Sequence, residues 1–218
     1  MTFDDDDRSH HDHALPVLQD LDVPATFFLS GRSLHGLGPY WWNRLEGLIR
    51  HDGLSSVGNR LGITATTPAD LAARIEGTAL VEKLDTAKVI DVDQPLSGTE
   101  IRSLAKAGME VGFHTISHPV LLGLPDAEVD RHLTEGVTEL AEAAGCDITY
   151  FAYPHGKADR HLARRVEDAG FSAAFVEGGR PLHPDMDRYL LGRWGPGPAD
   201  IDDFMAGVAL RLSRPNRM

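Results

Sequence analysis

One cysteine in 218 residues, Cys146, leaves no partner for an intramolecular disulfide and rules out a cysteine-rich zinc site. Its position after Ala143-Ala144-Gly145 predicts a small buried residue at a helix exit. Basic residues are scarce: 21 Lys and Arg against 33 Asp and Glu give a net charge of −12. No basic cluster with interleaved aromatics is found, so nucleic acid is not expected as a partner. No apolar run approaches the ~18 residues of a membrane span, and no charged-then-apolar leader precedes the first motif. Neither a span nor a signal peptide is expected, and the cytoplasm is the default location.

What is present is enough hydrophobic material, 42% of residues, for one substantial core, and a single domain over residues 1–218 is expected. The stretch Met109-Glu-Val-Gly-Phe-His-Thr-Ile-Ser-His-Pro119 organises it. Met109, Val111 and Phe113 alternate with Glu110 and Gly112, which predicts a half-buried strand. His114 and His118 follow at its end. A helical or 3₁₀ arc there would set both imidazoles on one face, able to meet one divalent cation.

Upstream, Thr2-Phe-Asp-Asp-Asp-Asp-Arg8 leads into a helix-patterned His13–Leu21 and a buried strand over Val23–Leu29, so the aspartates lie at the start of a βαβ unit. In parallel α/β folds functional groups collect at strand ends. From Gly36 to about Gln94 a helical insertion is predicted, with amphipathic helices over Tyr40–Ile49 and Asp70–Leu84. Trp41 and Trp42 are assigned to its core rather than to a sugar subsite. Ser97-Gly-Thr-Glu100 is a capping-box pattern. Beyond the histidines the pattern gives a long helix over Asp126–Ala144, a strand Ile148–Ala152 ending in the turn Tyr153-Pro-His-Gly156, and a helix Ala158–Ala169. Strands over Phe171–Val176 and Tyr189–Trp194 and a helix Ile201–Leu212 complete it. The alternation predicts a mostly parallel sheet, open or closed into a barrel. Two histidines and a carboxylate with open positions fit catalytic zinc hydrolases and equally the facial triad of non-haem iron enzymes.

The chain resembles the polysaccharide deacetylase family of metal-dependent carbohydrate esterases, and among them the exopolysaccharide-associated branch. Thr2-Phe-Asp-Asp5, His114-Thr-Ile-Ser-His118 and Phe151-Ala-Tyr-Pro-His-Gly156 are similar to its motifs, in order. The resemblance implies an α/β fold, a distorted (β/α)₇ barrel, and hydrolysis of acetyl groups, chiefly N-acetyl, on a saccharide or oligosaccharide. It implies one divalent metal, zinc being the expected ion, on Asp5, His114 and His118. Asp4 is the implied general base, Arg193 its orienting partner in place of an arginine where Ala152 stands, and His155 the third member of the candidate catalytic set. A backbone N–H of the Tyr153 to Gly156 turn is the expected oxyanion donor. Asp6 stands where the family has glycine and is expected to crowd the loop. No late Leu-x-x-His motif is found, and His183 is the nearest candidate acid. Only Met1 to Phe3 precede the aspartates, against about five or six residues in a typical strand. The first strand therefore reads as truncated, and the carboxylate half of the site is expected to be held more loosely than the histidine half. A related amide hydrolase on a non-sugar substrate, and a non-catalytic sugar- or metal-binding relative, are the alternatives.

Overall fold

The computed structural model describes residues 1–85, 92–178, 182–195 and 201–212. Six strands, β1 (Thr2–Asp4), β2 (Thr26–Leu29), β3 (Glu110–Phe113), β4 (Tyr150–Ala152), β5 (Ala173–Glu177) and β6 (Leu191–Arg193), form one parallel sheet in sequence order. The helices are α1 (Leu15–Asp20), α2 (Trp41–Asp52), α3 (Leu54–Leu61), α4 (Pro68–Ile75), α5 (Leu80–Asp85), α6 (Gly98–Lys106), α7 (Asp126–Thr134), α8 (Val137–Ala144), α9 (Arg160–Asp168) and α10 (Ile201–Leu212). This is the expected distorted (β/α) barrel, a curled sheet with helices around it and six strands among the described residues. No helix among the described residues is long and apolar enough to cross a membrane.

The period-two pattern of each strand sorts its side chains onto two faces. Phe27, Leu29, Val111, Phe113, Phe151 and Ala174 point outward into the main core, with Leu15 and Leu18 of α1, Ile101 and Leu104 of α6, and Leu162 and Val166 of α9. Full burial of such a side chain stabilises by roughly 1.5–3 kcal/mol before entropy is counted. The alternate positions, Asp4, Phe28, Gly112, Phe175 and Arg193 among them, form the concave face. Phe28 and Phe175 lie 5.3 Å apart there and make its floor. Gly112 is needed for that floor, because a Cβ at residue 112 would lie 2.5 Å from Phe28 Cδ1 and 3.0 Å from the Tyr150 carbonyl oxygen.

Several boundaries differ from the sequence reading for local reasons. The helix over Asp126–Ala144 is two, α7 and α8, because Gly136 adopts φ +89° and lets Ile116 approach where a Cβ would stand. The segment Asp70–Leu84 likewise breaks into α4 and α5 around Gly77 at φ +73°. The insertion has its own hydrophobic cluster, Leu45, Val57, Leu71, Ile75 and Leu84, and Trp41 packs against it; residues 86–91 of its predicted span lie outside the described residues. In α1 Leu15 and Leu18 are buried while Val17 and Leu21 stay exposed, since at 3.6 residues per turn Val17 and Leu21 lie on the side of the helix away from Leu15. Both halves of the Ser97/Glu100 capping box are formed. Cys146 is exposed, not buried: Gly145 at φ +76° turns the chain away from α8 before the cysteine is reached.

Gly112→Ala is expected to lower stability by about 1–3 kcal/mol through overpacking, because Phe28 is fully buried and has no room to yield. Urea unfolding measures it, and an unchanged midpoint would mean that Phe28 does not hold the concave face.

Candidate active site

The concave face opens at the carboxyl ends of the strands into a cavity of about 490 Å³, and Asp4, Asp5, His114, His118, His155 and Arg193 all line it. Adjacent residues of a regular strand point to opposite faces, yet Asp4 and Asp5 share this cavity. The reason is that β1 ends at Asp4 and Asp5 turns to φ +69°. Left-handed conformations recur at the site. Of the five non-glycine residues with positive φ among the described residues, Asp5, Thr115, His118 and His155 belong to its loops, each an uncommon and costly conformation.

The two histidines meet through such a loop and not through the helical arc that their spacing suggested. With Thr115 at φ +62° and His118 at φ +52°, the chain folds back so that the rings lie 4.9 Å apart, and Thr115 Oγ1 accepts the His118 N–H at 3.1 Å. His114 is 2% exposed, and its Nδ1 lies 2.7 Å from the Ala152 carbonyl oxygen. A carbonyl can only accept, so Nδ1 carries the proton and Nε2 presents its lone pair to the cavity. Ala152 thus serves through its backbone.

Asp5 Oδ1 lies 3.9 Å from His114 Nε2 and 3.8 Å from His118 Nε2, too far for hydrogen bonds, and it is a buried acceptor with no partner. Burial, together with the neighbouring aspartates and against the pull of His114, raises its carboxyl to about 6. Burial, with the charges of His114 and His155, lowers His118 to about 3, so it is neutral. One carboxylate and two imidazole nitrogens, all within 4.8 Å of one another, are the ligand set of a divalent cation. Ligands about 2.1 Å from one ion at tetrahedral angles stand about 3.4 Å apart, so the group needs only a slight contraction. The residues fit a metal.

Asp4 is held differently. Arg193 Nη1 and Nη2 donate to its two oxygens at 2.6 and 2.7 Å, and Nη1 also donates to Thr2 Oγ1 at 3.1 Å. The guanidinium carbon sits 4.9 Å over Phe28 and 5.9 Å over Phe175. Burial pushes the Asp4 carboxyl up, but the Arg193 hydrogen bonds and the Arg193 charge bring it below its ordinary value. It is therefore an ionised acceptor 3.9 Å from His114 Nε2. Asp6, expected to crowd the loop, is instead buried and accepts from Ser30 N at 2.8 Å, Ser30 Oγ at 2.6 Å and Arg32 N at 3.0 Å. Asp4 and Asp6 thus tie down the two sides of Asp5 by side-chain bonds that a three-residue ladder lacks.

His155, at φ +58°, has its ring 4.6 Å from that of His118, tilted by 55°, and places Nδ1 3.2 Å from Glu76 Oε1 at the end of α4. Glu76 gave no motif to find. His183 is not brought here; it is exposed and pairs with Asp185 at 3.2 Å. Trp42, assigned to the core, lies 5.1 Å from the His118 ring.

A family model described as polysaccharide deacetylase matches residues 1–174. No curated protein matches the chain. Among solved structures, the Streptococcus pyogenes deacetylase PplD in complex with acetate is similar at 14% identity and TM-score 0.60, covering 94% of this chain and 68% of that one. IcaB from Ammonifex degensii is similar at 23% identity and TM-score 0.58, with 98% and 72% covered. The BpsB deacetylase domain from Bordetella bronchiseptica gives 15% and 0.56, with 88% and 69% covered. These likenesses show the shared fold.

In metal-free protein the raised Asp5 carboxyl costs stability as pH rises from about 4 through about 6, the stabilising protonated form being lost. Asp5→Asn, which tolerates positive φ, should remove that loss. With chelator present it is expected to be as stable as the parent near pH 4 and more stable at pH 7.5, by up to about 3 kcal/mol. Equal pH dependence of the two urea midpoints would mean that Asp5 is compensated by a partner.

Proposed function

The chain belongs to the polysaccharide deacetylase family and is a hydrolase that removes acetyl groups from carbohydrate, and we propose that it cleaves the amide of an N-acetylated saccharide with a divalent metal on Asp5, His114 and His118. One observation carries this reading: two carboxylates from one strand end reach the same cavity, one without a partner between two imidazole Nε2 atoms, the other locked on a guanidinium. The donor set is two imidazoles and a carboxylate, for which zinc is the expected ion. A divalent cation held there supplies Lewis acidity toward water and toward an acyl oxygen.

The chain's own residues divide the remaining work. Asp4 accepts the proton of the attacking water, and the Arg193 fork keeps it ionised and fixes its direction. His114 and His118 are the imidazole donors, the first oriented by the Ala152 carbonyl. In the Tyr153 to Gly156 turn, Tyr153 N–H is given to Phe175 O and Gly156 N–H to Tyr153 O, while Pro154 has none. The His155 N–H is the donor assigned to the oxyanion developing at the acetyl carbon, a contribution of about 10²–10³ in rate for such a donor. The His155 imidazole, beside His118 and paired with Glu76, returns a proton to the departing amine nitrogen. Residues 1–218 act as one catalytic domain, the insertion included.

His114→Ala and His118→Ala are each expected to lose stoichiometric zinc by elemental analysis; full metal content in both would remove the ligand assignment. Asp4→Asn is expected to keep zinc and lose about 10²- to 10⁴-fold in turnover. Parallel loss of zinc and turnover would make Asp4 a ligand or a structural residue instead.

A further inference from the structure

A second cavity, of about 430 Å³, adjoins the first, and His118 and His155 line both. Its other wall comes from the insertion: Trp41 and Trp42 at the start of α2, the Glu76–Thr78 turn, and Val81 and Glu82 on α5. We propose that this cavity is a saccharide subsite for the ring next to the one being deacetylated, and that it selects neutral or amino sugars over anionic ones. The proposal rests on the carbohydrate deacetylase reading and names the neighbour that its substrate carries.

Trp42 is the main observation. Among the described residues it packs in neither hydrophobic cluster, whereas Trp41 packs on the insertion's own cluster. Yet it is held rigidly. The Tyr40 ring lies 4.1 Å from it at 13°, and the Arg32 guanidinium carbon lies 3.8 Å from that same Tyr40 centroid. Two groups that close to one ring must occupy its opposite faces, so Arg32, Tyr40 and Trp42 form a column with the indole at its end. Trp41 meets the indole edge-on at 85° and His118 at 64°. A half-buried indole fixed in this way beside the acetyl site is a preorganised platform for the C–H face of a sugar ring.

The charged groups set the preference. Arg32, the cavity's one guanidinium among the described residues, already donates to Gly38 O at 3.0 Å and Ile116 O at 3.1 Å and lies on Tyr40. Besides His155, which pairs with Glu76 at 3.2 Å, the wall carries the carboxylates of Glu76 and Glu82, which accept from hydroxyl or ammonium groups and repel uronate, sulfate or phosphate. Binding energy gained on a neighbouring ring reaches the chemistry only if substrate spans both cavities, so chain length should matter.

Isothermal titration calorimetry with a glucosamine trimer, a glucosamine monomer and a hexuronate trimer tests the subsite without turnover. Saturable binding of the glucosamine trimer is expected, at least about tenfold tighter than either other probe. Trp42→Ala and the cavity-filling Val81→Trp should both abolish that advantage, and Trp42→Phe should restore part of it. Absence of saturable trimer binding, or an advantage unchanged in Trp42→Ala and Val81→Trp, would overturn the proposal. Acetate release separates it from the underlying reading: with N-acetylglucosamine oligomers, trimer over monomer should favour kcat/KM about tenfold in the parent and about equally in Trp42→Ala. Trimer binding that depends on Trp42, with no acetate released from any oligomer in zinc, would support the subsite and overturn the hydrolase reading alone.

Discussion

The Asp4–Arg193 fork is the contact on which both barrel and site depend. Among the described residues β1 and β6 are the two edges of the sheet, and no backbone ladder joins them. The guanidinium crosses that gap, with two bonds to Asp4, one to Thr2 and the Phe28 and Phe175 rings beneath it. An ion pair at an exposed rim is worth little, but a bidentate pair over an aromatic floor has fixed geometry and restricted access to water. The same two oxygens that close the fold are those that would take a proton, so the positioning of the base and the closure of the barrel are one interaction.

This explains which parts of the molecule were legible in the sequence. The strands were, from the alternation of Met109, Val111 and Phe113 and from the apolar run that ends in Phe27, Phe28 and Leu29. The candidate site was legible as residue types: paired aspartates at one strand end, paired histidines at another, Tyr-Pro-His-Gly at a third. The partner of Asp4 was reachable only as a guess, since Arg193 lies at the far end of the chain and its identity as partner is a property of the curl. Local pattern also carries no sign for φ. The left-handed turns at Asp5, Thr115 and His118, which bring the donors together, and the glycine breaks at Gly77 and Gly136, which split helices of continuous apolar period, both depend on it. Trp41 and Trp42 show the limit most directly: adjacent, identical residues on one helix, of which one packs in the insertion and the other faces the histidines.

Asp6 shows a substitution changing roles without leaving the site. Glycine in that position would supply freedom; aspartate supplies an anion that collects the N–H groups of Ser30 and Arg32 and the Ser30 hydroxyl. The loop after β1 is thereby fastened to the loop after β2. The backbone N–H of Leu96, just before α6, donates to the Asp6 carbonyl at 2.9 Å and ties in the chain returning from the insertion.

That return has an entropic side. β2 and β3 are neighbours in the sheet, yet roughly 80 residues separate Leu29 from Glu110, where a simple crossover needs about a dozen. Loop closure grows only logarithmically, about 0.6 kcal/mol per doubling, so the excursion adds about 2 kcal/mol to the pairing of these strands. The insertion carries its own buried cluster, so the sheet bears little of the expense of ordering it. A chain built this way can exchange the wall of its second cavity for another, in length or in sequence, and keep its barrel.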